Sequence, residues 1–222
     1  MEPIVLEAAP VGGHVGDWAA RLGELLDSNN VLAMHVTGGD GCGKTHLMLE
    51  TLKGLGSSMR IGAICSDCGI ALDAQHYCDA GFKAVNVKLE DSQRLNSALV
   101  YSAAEKLGPE ELDLLVVEHS GNLLLATRPD LGIRRVITCL SVTQGWGPIE
   151  KFQPAFSSST MNIITKSDLA RAAKFDIPRA VSRLRRLNAR APVIVTSATN
   201  GDGIDSFRAC IQQESQNLVC SA

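Results

Sequence analysis

The chain has 222 residues, 45% hydrophobic and 20% charged, with a formal net charge of −3 and a pI near 6.0. That length suits one α/β domain with a sheet buried on both faces and leaves little for a second. The mild acidity gives no general pull towards nucleic acid or anionic membrane, and no apolar run reaches the roughly 18 residues of a membrane span.

The first residues, Met1-Glu2-Pro3-Ile4, lack the basic and apolar regions of a secretory signal. The seven cysteines show no small-scaffold disulfide spacing. Together these set the expectation of a reducing cytoplasm and free thiols. Residues 1–13 read as a poorly ordered tail and 14–222 as a single domain. Residues 14–28 suit an amphipathic helix with Trp18, Leu22, Leu25 and Leu26 on one face. Strand patterns follow at 31–37, 60–65, 83–88, 113–118, 135–142, 160–164 and 192–196. Helical patterns fall at 44–55, 71–80, 92–107, 177–188 and 203–214. Short Val/Ile/Leu-rich strands alternating with helices predict a three-layer α/β fold, a mainly parallel, doubly wound sheet with helices on both faces. Ser157-Ser158-Ser159 reads as a loop before a strand.

Between the first strand and its helix runs Gly38-Gly39-Asp40-Gly41-Cys42-Gly43-Lys44-Thr45, which fits GxxxxGK[ST], the phosphate-binding P-loop. Glycines let the backbone turn its N–H groups inward, and the helix N-terminus favours phosphate. Lys44 can reach the β- and γ-phosphates, and Thr45 can offer its hydroxyl to Mg²⁺. His46 follows directly and is expected near the nucleotide without a chemical role. Cys42 fills a small-residue slot.

Two later strand ends supply acids. The strand ending Cys65-Ser66-Asp67 offers Asp67 to the Mg²⁺ shell or to the attacking water; a loop acid or helix cap is its structural alternative. The strand Leu114-Leu115-Val116-Val117-Glu118 runs into His119-Ser120-Gly121. There Glu118 suits a metal-bound water, and the Gly121 N–H suits a γ-phosphate.

Farther on, Thr165-Lys166-Ser167-Asp168 matches the [NT]KxD pattern of guanine-specific proteins. A carboxylate at Asp168 accepts from guanine N1–H and N2–H, a donor pair that adenine lacks, while the Lys166 stem covers the base. A site built on such bonds discriminates by roughly 10⁴-fold or more. Ser197-Ala198 ends the next strand, with the Ala198 N–H aimed at guanine O6. Lys44, Asp67 and Glu118 are therefore the expected catalytic set, with GTP and Mg²⁺ as ligands.

These motifs, in this order, resemble the HypB/UreG family of nickel-insertion GTPases, closest to HypB, from about residue 16 to 214. The likeness extends to Ser66-Asp67, Leu72-Asp73-Ala74, Glu118-His119-Ser120-Gly121-Asn122-Leu123, Asp130-Leu131-Gly132, Leu140-Ser141-Val142-Thr143, Phe152-Gln153-Pro154-Ala155-Phe156 and Ser197 to Gly203. The resemblance implies a SIMIBI-type G domain, GTP hydrolysis, a nucleotide-dependent homodimer and metal delivery to a client metalloenzyme. The family's metal-binding Cys-His pair and later Cys fall, on ungapped alignment, at Gln93, Arg94 and Leu125. Its acidic E-G-x-D-K-P segment reads Gln144-Gly145-Trp146-Gly147-Pro148-Ile149, a hint of a changed partner surface or switch coupling.

Cys65, Cys68, His76 and Cys78 are the residue types of a Zn²⁺ or Ni²⁺ site, and also of buried small thiols beside a surface histidine. Arg179, Arg183, Arg185, Arg186 and Arg190 make a basic helix, either a solvated face or a patch for an acidic partner or membrane surface. With no evident arginine finger, turnover is expected to be on the order of 10⁻⁴–10⁻² s⁻¹. Three functions compete: a HypB-like GTPase metallochaperone, a GTP-dependent partner-binding switch without metal cargo, and a P-loop small-molecule kinase.

Overall fold

A computed structural model of the chain describes residues 1–7, 15–67, 72–89, 95–119, 123 and 131–219. Among the described residues, eight strands form one sheet: β1 (Ile4–Glu7), β2 (Leu32–Gly38), β3 (Ile61–Asp67), β4 (Lys83–Lys88), β5 (Leu114–Glu118), β6 (Arg135–Ser141), β7 (Met161–Thr165) and β8 (Val193–Val195). Their order is β1-β4-β3-β5-β2-β6-β7-β8, and every pairing is parallel. The helices are α1 (Val15–Ser28), α2 (Lys44–Lys53), α3 (Leu72–Asp79), α4 (Ser97–Leu107), α5 (Gly147–Lys151), α6 (Gln153–Ser158), α7 (Ile177–Leu187) and α8 (Ile204–Val219).

The central strands are buried along their whole length, which is why they read as continuous apolar runs rather than alternating ones. On one face, α2, α3 and α8 pack Leu47, Met48, Leu52, Tyr77, Phe207 and Ile211 onto Met34, Val36 and Val116. On the other, α1 and α4 bury Leu22, Leu26, Leu99 and Val100 against Val85, Leu115 and Val117. A third cluster seats α5, α6 and α7 on β6 and β7 through Ile149, Phe156 and Leu184.

Local chemistry sets the helix ends. Asn96 caps α4 by accepting from Leu99 N at 3.0 Å, and Asp176 caps α7 by accepting from Arg179 N at 3.0 Å.

The expected tail is partly ordered: Ile4–Glu7 add a parallel edge strand on β4, in register Ile4 to Val85. Two short helices occupy 147–151 and 153–158, where the sequence reading assigns no helix and has a loop at Ser157–Ser159. Pro148 and Pro154 sit in their first turns, and the Ser158 and Ser159 hydroxyls donate back to the carbonyls of Pro154 and Ala155. Ser158 thus ends a helix instead of opening a loop. Cys42, Cys65, Cys78, Cys139 and Cys210 form no disulfide among the described residues. No described helix is long and apolar enough to cross a membrane.

Candidate functional site

In an open parallel sheet, ligands bind beyond the carboxyl ends of the strands, where the connections diverge to opposite sides. Here β2 is flanked by β5 and β6, and its carboxyl end carries Gly38–Thr45. Gly41 and Gly43 take φ values of 65° and 88°, which side-chain-bearing residues rarely adopt. Gly43 precedes α2 and offers no side-chain cap, so the first-turn N–H groups stay available to an anion. The loop borders a cleft of about 570 Å³ whose walls include Lys44, Thr45, His46, Asp73, His76 and Glu118. Lys44 is largely buried there, and His46 and His76 are exposed at the rim.

The loop is held from outside at successive residues. The Gln144 side chain donates to the Asp40 carbonyl at 3.1 Å and fills the space a Cβ on Gly39 would need. Lys166 lies in the left-handed region at φ 57°, and its Nζ donates to the Gly41 carbonyl at 2.7 Å. Thr165 Oγ1 donates to the Cys42 carbonyl at 2.6 Å. Cys42 itself is fully buried; burial pushes its thiol up, so it is protonated and packs as a small residue.

Asp168 lies just beyond β7 and is exposed; its Oδ1 accepts from Ser197 Oγ at 2.6 Å. The Ser197 hydroxyl also accepts from the Asn200 N–H at 3.2 Å, and Ser197 N–H donates to the Asp202 carbonyl at 2.9 Å. Thr165, Lys166, Asp168, Ser197 and Ala198 therefore gather at adjacent strand ends beside the loop. A carboxylate oriented by a serine in this way is an acceptor suited to the paired N–H groups of a base.

At the other end of the loop, Thr45 Oγ1 lies 2.9 Å from Asp73 Oδ1 and 2.5 Å from Glu118 Oε1, and Tyr77 OH donates to Glu118 Oε2 at 2.9 Å. The threonine has one proton for two carboxylates. Its hydroxyl is therefore shared between Asp73 and Glu118, donating to one of them at a time. Burial pushes the Glu118 carboxyl up to about 7, outweighing the opposing pull of the Thr45 hydrogen bond. Burial lowers the neighbouring His35 to about 3 and His119 to about 4, helped by their proximity and by Lys44, so both imidazoles are neutral at pH 7.

Asp73 and Tyr77, one turn apart on α3, are the residues that motif reading left without a role. The available signal was an acid in the first turn of the helix after β3, on the same face as an aromatic four residues later. The backbone of Asp67 ends β3 beside this cluster; its side chain, Cys68, Gln93, Arg94, Gly121 and Leu125 lie outside the described residues. The described members of the thiol–imidazole set, Cys65, His76 and Cys78, do not converge. Cys65 and Cys78 are buried in the core under α3, His76 faces solvent, and no group of three His, Cys, Asp or Glu suited to a metal occurs among the described residues. The oxygen-only trio Thr45, Asp73 and Glu118 suits a hard divalent cation bound together with phosphate.

A P-loop on the central strand of an all-parallel sheet, with a hydroxyl–carboxylate cluster at one end and an oriented aspartate at the other, defines a P-loop nucleotide-binding protein. Residues 32–195 match the model of the CobW/HypB/UreG nucleotide-binding domain, and the chain belongs to that family. It is 31% identical over 190 residues to the probable hydrogenase maturation factor HypB of Methanocaldococcus jannaschii, covering 86% of each chain. It is 28% identical over 195 residues to HypB of Rhizobium leguminosarum bv. viciae, covering 88% of this chain but only 65% of that protein. The crystal structure of HypB from Archaeoglobus fulgidus superposes with a TM-score of 0.84 at 26% identity, covering 90% of this chain and 98% of the other.

Proposed function

We propose that this protein is a GTP-binding, slowly GTP-hydrolysing maturation factor of the HypB kind that assists assembly of a metal centre in a client enzyme. The carrying observation is the Asp168–Ser197 pair, tied through Thr165 and Lys166 to the same loop whose far end holds Thr45 and Glu118. Base and phosphates are thus read by one connected unit. The loop N–H groups and Lys44 take the phosphate charge, and Asp168 with Ser197 and Ala198 selects guanine. Thr45 and Glu118, with Asp67 or Asp73, are the residues that would hold Mg²⁺. That ion would neutralise charge on the β- and γ-phosphates.

Hydrolysis forms a bond from a water oxygen to the γ-phosphorus and breaks the bridging P–O bond. Asp67 is the residue assigned to orient that water. Turnover without a partner is expected on the order of 10⁻⁴–10⁻² s⁻¹. A nucleotide-dependent homodimer and a client or co-chaperone complete this reading. A switch that carries no metal of its own is the second reading, favoured by the dispersal of Cys65, His76 and Cys78.

The base assignment is tested by titrating Asp168→Asn with GTP and XTP. Preference should move from GTP to XTP, because the asparagine amide donates where the carboxylate accepts; retained full GTP preference would refute it. Lys44→Ala should lose GTP hydrolysis, and a parental rate would overturn the P-loop assignment. Equilibrium binding of Ni²⁺, Zn²⁺ and Co²⁺, with and without a nonhydrolysable GTP analogue, separates the two readings: silence in both states favours the switch.

A further inference from the structure

The arginine face of α7 has no role in the nucleotide site. Arg179, Arg183 and Arg186 recur at intervals of four and three, one stripe of a helix whose opposite face buries Ala180 and Leu184. Arg185 flanks the stripe, and Arg190 follows the helix end. Residues 151–192 carry nine Lys or Arg and two Asp, a local balance of +7 in a chain whose total is −3. Elsewhere Arg60, Arg134, Arg135 and Arg208 each sit on a carboxylate. Among the described residues, no carboxylate lies within ion-pair distance of Arg171, Arg179, Arg183, Arg185, Arg186 or Arg190.

A solvated helix face needs charge of either sign. Every charge within this helix is an arginine, the side chain whose planar fork matches carboxylates two bonds at a time. It is also ordered at one end. The Arg179 guanidinium lies 4.7 Å from the Trp146 ring centroid, and Trp146 stacks on Phe175 at 5.2 Å with 25° between planes. Trp146 is two residues from Gln144, which grips the Asp40 carbonyl of the P-loop. The basic face therefore joins the nucleotide loop through a short chain of contacts.

We propose that the α7 arginine face is a docking surface for a carboxylate-rich segment of a partner protein, and that Trp146 reports its occupancy. Nucleic acid fits less well. The stripe spans only about two helical turns, on the order of 10 Å, and the rest of the chain is strongly acidic and would repel an extended polyanion. A membrane fits less well because the apolar face of α7 is spent in the core and α7 has no large hydrophobic side chain that is exposed.

The probe is an N-terminally fluorescein-labelled octaglutamate, followed by anisotropy at 50 and 150 mM NaCl. Arg183→Glu/Arg186→Glu should weaken binding at least 10-fold. Reversing Lys88 and Lys106, exposed elsewhere, makes the same change in total charge and should have under a 3-fold effect. Arg183→Gln/Arg186→Gln guards against a folding defect and should show an intermediate loss. In a Trp18→Phe protein, octaglutamate should change Trp146 emission in step with the anisotropy. Equal losses from both reversals, unchanged Trp146 emission, or tighter binding of a uridine decanucleotide or of phosphatidylglycerol vesicles would each overturn the proposal. So would sedimentation velocity showing that the arginine variants dissociate a homo-oligomer, which would assign the face to a second copy. GTP binding by the variants should stay parental, so failure here is distinguishable from failure of the GTPase reading.

Discussion

Glu118→Gln should make the nucleotide-free protein more stable at pH 8 and change little at pH 5. The glutamine amide keeps the shape, accepts from Tyr77 and donates to Thr45, but cannot ionise. In the parent the buried carboxyl titrates near 7, against an ordinary value of 4.5. Between those values the folded state holds a proton that the unfolded chain has released. Glu118's contribution to stability therefore falls as pH rises through that window. At about 1.4 kcal/mol per unit, the fall from pH 5 to pH 8 is on the order of 2–3 kcal/mol. His35 and His119 act in the opposite sense. Their values of about 3 and about 4 lie below the ordinary 6.5, so the unfolded chain binds more protons, and their contribution rises with pH until about 6.5. Both proteins share the histidines, so the difference between them isolates Glu118. Urea denaturation at pH 5, 6, 7 and 8 in EDTA measures it. Parallel stability curves across that range would refute the argument that Glu118 is protonated in the empty site.

Tyr77→Phe removes the donor to Glu118 Oε2 inside the core and should cost about 1–3 kcal/mol by denaturant unfolding, with a raised Mg²⁺ requirement for GTP hydrolysis. Restoring the Mg²⁺ requirement in a Tyr77→Phe/Glu118→Gln protein would not be expected. Thr165→Val keeps the shape but strips the buried Cys42 carbonyl of its partner; about 1–2 kcal/mol of stability and a few-fold of nucleotide affinity should be lost, read by calorimetry. Gly203→Ala forces a Cβ to 2.0 Å from the Val195 carbonyl at φ 71°; a loss of at least about 2 kcal/mol in thermal or urea unfolding is expected.

The sheet was legible because its signal is local: short Val/Ile/Leu runs at β2 to β8, each followed by a turn and mostly by a periodic helix. β1 escaped because four residues, Ile4–Glu7, become a strand only by borrowing the edge of β4. The helices at 147–158 escaped because their prolines, harmless in a first turn, read as breaks. At the site, the motif spacings placed the P-loop, Glu118, Asp168 and Ser197 at neighbouring strand ends. Tyr77 could not be found that way. Its role depends on α3 crossing the sheet so that its phenol meets β5, an encounter between residues 41 positions apart. The described part of the thiol–imidazole reading, Cys65, His76 and Cys78, stays apart for the complementary reason. Spacing set Cys65 and Cys78 near His76 in sequence, but the strand and the helix point those thiols inward and the imidazole outward.

The phosphate loop is the node where these distant encounters meet. Gln144 holds the Asp40 carbonyl, Lys166 the Gly41 carbonyl and Thr165 the Cys42 carbonyl, while Asp73 and Glu118 share the Thr45 hydroxyl. The first three bonds come from the β6 and β7 side, where Asp168, Ser197 and α7 lie. The last two come from β5 and α3, on the opposite side of β2. A hydroxyl that turns from Asp73 and Glu118 towards a cation must release two elements at once, whereas the carbonyl bonds on the other side need not change. On the proposed GTP-binding reading, this asymmetry predicts that nucleotide-dependent rearrangement falls on α3 and spares β7. Amide hydrogen exchange with GDP and with a nonhydrolysable GTP analogue should then differ most at Leu72–Asp79 and least at Met161–Thr165; the reverse ranking would show that the Thr45 cluster does not govern the switch.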